Sequence, residues 1–87
     1  MTLEFPNPSR SFDEVRNAVR FIGHDGMFEV PFFVETTALA QSGRTPRSES
    51  DFLAAFDSAR SSIQDVAREA YSNGRRASYT LTAIDFR

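Results

Sequence analysis

An 87-residue chain with 40% hydrophobic residues and nine phenylalanines can enclose one modest core, and it makes a single domain spanning residues 1–87. Twelve acidic and ten basic residues give a net charge of −2, which argues against nucleic acid as the main partner. Cysteine is absent, which excludes disulfides, thiolate zinc sites and a cysteine nucleophile, and in a small domain points to the reducing cytoplasm.

No run approaches the ~18 apolar residues of a membrane span, so no membrane partner is expected. The segment Met1 to Pro6 lacks the basic and apolar regions of a signal peptide, which also favours a cytoplasmic location. All ten basic residues are arginine. Residues 1–35 carry three Arg and six acids, residues 36–87 seven Arg and six acids, so no basic arm stands apart.

Leu3-Glu4-Phe5 reads as a short strand, stopped by Pro6-Asn7-Pro8. Ser11 to Glu14 reads as a turn or a single helical turn. Residues 17–23 and 27–34 form a β-hairpin around Asp25-Gly26, a strong hairpin signal. A two-residue loop pairs Phe21 with Val30, and a four-residue loop pairs it with Phe28. The two registers differ by two, so both put Val19, Phe21, Phe28, Val30, Phe32 and Val34 on the core face. Pro31 has no amide proton for a ladder and implies an edge or bulge there. Thr36 or Thr37 caps a short helix ending near Gln41 and Gly43, followed by the polar connector Gly43 to Ser48, the expected mobile loop. One long helix follows, capped by Ser48 or Ser50 and ended by Asn73-Gly74, with Phe52, Leu53, Phe56, Ile63, Val66, Ala67 and Tyr71 at three- and four-residue steps. Residues 77–86 alternate as a final strand. The architecture expected is α+β, in the order β-β-β-α-α-β: a small antiparallel or mixed sheet with two helices on one face.

The spacing Phe12-x-x-x-Arg16-x-x-Val19-x-Phe21, the Asp25-Gly26 turn, and Phe52-Leu53-x-x-Phe56-x-x-x-Arg60-x-x-Ile63 with Ala67 and Tyr71 carry a resemblance. On these residues the chain resembles the small bacterial domain-of-unknown-function family 1488, over essentially its whole length. The resemblance implies a compact α+β fold and a bacterial, cytoplasmic origin. It implies no activity, and Arg16 and Arg60 are the polar residues of the shared pattern.

Chemistry is sparsely represented. His24 is the only histidine, so no histidine pair can hold a metal, and its place beside Asp25-Gly26 marks it as a turn residue. Asp13-Glu14 is the one adjacent acidic pair and lies in a polar turn, not in the buried setting that raises a catalytic carboxyl pKa. The four glycines make no phosphate-binding loop. Neither enzymatic activity nor a cofactor is expected.

The expected function is a non-enzymatic interaction or regulatory module that self-associates. Its candidate surface is the second face of the hairpin, with Arg20, Ile22, Glu29 and Phe33, where Arg20 and Glu29 pair across the strands. A homodimer is the default form of such a contact. The alternative is a nucleic-acid-associated regulator that meets phosphates through Arg68, Arg75 and Arg76 beside Tyr79. For Arg16 and Arg60 a structural reading competes, as ion-pair partners of Asp13, Glu14 or Asp57.

Overall fold

The structure, a computed structural model, describes residues 3–6, 9–39, 48–74 and 76–86. The elements run β1 (Arg10–Asp13), β2 (Ala18–Asp25), β3 (Phe28–Glu35), α1 (Thr36–Leu39), α2 (Glu49–Ser58), α3 (Arg60–Asn73) and β4 (Tyr79–Leu81), closed by a 3-10 turn, Ala83–Phe86. The sheet order is β1-β2-β3-β4; the first three strands are antiparallel and β4 joins β3 in parallel. The α+β class and the mixed sheet are as the sequence predicts. The connector Gly43 to Arg47 lies outside the described residues.

The hairpin is one step longer than predicted. Gly26-Met27 makes the turn, Asp25 faces Phe28, and Phe21 faces Phe32. Gly26 adopts φ 62, the left-handed conformation that glycine takes without a Cβ penalty. Because the register again shifts by two, Val19, Phe21, Val30, Phe32 and Val34 all enter the core. Phe28 does not: it flanks the turn, outside the buried cluster, and is 77% exposed. Pro31 lies just outside the stretch Phe32–Val34 that pairs with β4, so β3 is locally an edge at the residue that cannot donate.

The first strand of the sheet is Arg10–Asp13, where the sequence suggests a turn, and the turn itself moves to residues 14–17. The Asp13 carboxylate accepts the Arg16 amide at 3.1 Å, and Asn17 takes φ 55, which asparagine tolerates better than most residues. Leu3-Glu4-Phe5 pairs with β2 at one point only, Glu4 with His24, through backbone hydrogen bonds of 2.8 and 2.7 Å. This places Leu3 and Phe5 against the core, with the Phe5 ring 5.8 Å from Phe21 and 6.0 Å from Phe32.

The long helix is divided. Ser48 caps α2 by accepting the Asp51 amide, and Glu49 and Asp51 occupy the positive end. At Ala59 (φ −110, ψ 16) the backbone leaves helical geometry, and α3 resumes at Arg60. Segment α2 packs on β1 and β2, with Phe52 stacked on Phe12 at 5.3 Å, whereas α3 packs on β4. A twisted sheet turns its outermost strands relative to one another, and a bent rod follows that surface where a straight one would not. The final strand also ends early: Asp85 accepts from the Thr82 amide (2.8 Å) and hydroxyl (3.2 Å), curling the chain into the 3-10 turn.

Candidate interaction surface

Four of the described arginines are fastened to the fold, three of them in one repeated arrangement. An aspartate three residues upstream binds the guanidinium, and an aromatic ring lies beneath it. Arg16 meets Asp13 at 3.8 Å and lies 4.2 Å from the centre of the Phe33 ring. Arg60 bonds Asp57 at 2.8 Å over Phe56 at 4.9 Å. Arg68 bonds Asp65 at 3.1 Å over Phe5 at 5.1 Å, and also donates to the Leu3 carbonyl at 3.3 Å. A planar guanidinium can bind a carboxylate with its edge while its face covers an aromatic ring, which a lysine ammonium cannot do. The same aspartate that holds Arg60 takes both prongs of Arg10, at 3.0 and 2.8 Å. These hydrogen bonds, that of Arg10 foremost, hold the Asp57 carboxyl below its ordinary pKa, and the Asp57 bond raises that of Arg10.

The pairing of Arg60 with Asp57 and Arg16 with Asp13 agrees with their structural reading. Of the three arginines expected to meet phosphates, Arg68 and Arg76 lie among the described residues. Arg68 is engaged with the N-terminal segment, and Arg75 lies outside the described residues. Arg76 donates its amide to the Tyr79 hydroxyl at 2.9 Å, and Tyr79 in turn donates to the Gly74 carbonyl. Among the described residues, Arg20 and Arg76 are the arginines whose guanidinium has no carboxylate partner.

Strand alternation places Ser11, Asp13, Ala18, Arg20, Ile22, His24, Glu29, Pro31, Phe33, Glu35 and Thr80 on the sheet face opposite the core. Arg20 is exposed and stands opposite Phe33; Ile22 is half-buried opposite half-buried Pro31; Glu29 is exposed opposite His24. The register thus corrects two expectations. Arg20 and Glu29 are not cross-strand neighbours, and Phe33 is buried beneath Arg16 instead of exposed.

Two features escaped the sequence reading. Tyr71 near the end of α3 donates to the Asp25 carboxylate at the hairpin tip, a long-range contact that no local pattern announces. A groove of about 210 Å³ runs beside β4, lined by Ala70, Asn73, Gly74, Arg76, all three β4 residues and Asp85. The polar residues around the Asn73-Gly74 helix stop were its only signal. Among the described residues no cluster of His, Asp or Glu is gathered for a metal ion, and no helix is long and apolar enough to cross a membrane.

No curated protein and no solved structure matches the chain. Residues 3–82 match the family described as "Protein of unknown function (DUF1488)", a span that takes in the described strands and α-helices, the arginine–aromatic platforms and most of the β4 groove. The chain is a member of the DUF1488 family.

Proposed function

We propose that the domain is a non-enzymatic interaction module, an accessory or regulatory protein of the bacterial cytoplasm that associates with itself through the outer face of its sheet. The observation that carries this reading is the one-sided layering. Segments α2 and α3 and the residues Leu3 and Phe5 all pack on the same side, while on the other side Arg16 lies over Phe33 and Arg20, Glu29 and Thr80 are exposed. That outer face has Ile22 and Pro31 side by side, with Arg20 and Glu29 exposed around them. Opposite charges on one face suit a two-fold contact, in which Arg20 of one copy meets Glu29 of the other around an apolar centre.

Light scattering after gel filtration, over a wide range of protein concentration, tests the reading. The mass is expected to rise above that of the chain with concentration, and Ile22→Glu to remove the association carried by the outer face. A monomeric mass throughout would overturn the proposal.

A further inference from the structure

The groove beside β4 touches Tyr79 and Leu81, whose side chains turn to the core, and also Thr80, whose side chain turns to the outer face. A groove that reaches both faces of one strand runs along its edge. Strand β4 is last in the sheet order, with β3 on one side and no described strand on the other. Its outward amides and carbonyls are therefore a template for another strand. The exposed Thr80 stands at its centre, Arg76 precedes the strand and Asp85 follows it, and both charged residues line the groove. The Arg76 guanidinium has no carboxylate partner among the described residues.

We infer that the β4 edge is a pairing site for the β4 edge of a second copy of this chain, in antiparallel register about Thr80. A two-fold axis normal to the sheet reverses strand direction and keeps core faces on the same side. Thr80 then meets its own counterpart, and each Arg76 approaches the partner's Asp85 end of the groove. The order of charges along this edge is thus complementary to itself when reversed, which no second arginine or second aspartate in these positions would achieve. Threonine opposite threonine is a favourable cross-strand pair. The contact joins two four-stranded sheets into one of eight strands. It uses a different surface from the outer-face contact proposed above, and the two can be tested apart.

The chain has no cysteine, so Thr80→Cys introduces a single exposed thiol at the proposed axis. Directly opposed strand residues bring their Cβ atoms to about 4.5–5.5 Å, near the span that a disulfide bridges. Thr80→Cys is expected to form a covalent dimer under mild oxidation, whereas Ser62→Cys, exposed on α3 and away from both proposed contacts, is not. In the Thr80→Cys background, Arg76→Glu is expected to abolish the cross-link, and mixing that protein with Thr80→Cys/Asp85→Arg is expected to restore it, with circular dichroism verifying the fold of each. Equal cross-linking of Thr80→Cys and Ser62→Cys, or cross-linking indifferent to Arg76→Glu, would overturn the inference. If Ile22→Glu abolishes association while Arg76→Glu leaves it intact, the edge contact fails and the outer-face reading stands.

Discussion

The Arg16 guanidinium lies 4.2 Å from the centre of the Phe33 ring, so the β1–β2 turn holds down the most apolar side chain of the outer sheet face. Charge and planarity both contribute to this contact. Arg16→Ala is expected to destabilise the domain by roughly 0.5–1 kcal/mol, the range for exposed cation–aromatic pairs. Arg16→Lys should recover only part of that loss in urea unfolding, because the ammonium covers less of the ring. A lysine variant as stable as the parent would mean that charge alone matters here.

Phe56 stands at the centre of the core, with its ring 5.1 Å from Phe21 and no exposed surface. Phe56→Ala is expected to cost about 3–5 kcal/mol, the usual loss when a buried aromatic leaves a cavity. Denaturant midpoints measure it directly. A loss below about 1 kcal/mol would place the core elsewhere.

Gly23 is required by its neighbours. A Cβ there would come within 3.0 Å of Leu3 and Phe5 and 3.1 Å of Phe32. The Leu3 and Phe5 side chains of the N-terminal segment, which pairs alongside β2, close over this point, so a methyl group would push them outward. Gly23→Ala is expected to lower stability by about 1–3 kcal/mol, as overpacking does. Faster amide exchange at Glu4, which donates to the His24 carbonyl, should accompany the loss.

Asp57 links stability to acid. Its carboxyl is depressed in the folded protein by hydrogen bonds from Arg10 and Arg60. A carboxyl whose folded pKa lies below the unfolded value of about 3.9 adds stability above that pH and loses it as the pH falls through the folded value. The parent should therefore lose more stability than Asp57→Asn between neutral pH and pH values below about 3.9. The difference should be small and should shrink in high salt, because water and ions screen an exposed pair. Thermal unfolding of both proteins across this range, at two salt concentrations, makes the comparison.

The hairpin faces were legible because alternation survives any even change of register; only the last pair, at Phe28, depended on the turn itself. The Arg10–Asp13 strand was hidden by composition, since a polar edge strand with one phenylalanine has no periodicity to read. Its identity comes from β2, which it pairs with, and from Phe52, which covers Phe12. The arginines were half legible. Asp57 lies one helical turn from Arg60 and could be paired by spacing, but the ring under Arg68 belongs to Phe5, at the other end of the sequence. Phe33 lies on the expected face, but its burial was not legible for the same reason: what covers it is a side chain from a neighbouring turn.

The parallel union of β3 with β4 joins residues more than half the chain apart, Phe32 with Tyr79 and Val34 with Leu81. During synthesis the β1–β2–β3 meander can therefore form while β4 is still unmade, and β3 then waits with its Phe-Phe-Val stretch open on one side. Loops of this length close slowly, and an uncovered apolar strand recruits other chains in the interval. The three residues Tyr79–Leu81 thus act as a late seal on the nascent protein. A chain that stalls or is clipped before them is expected to go to aggregates or to chaperones, even though most of its core residues are already present.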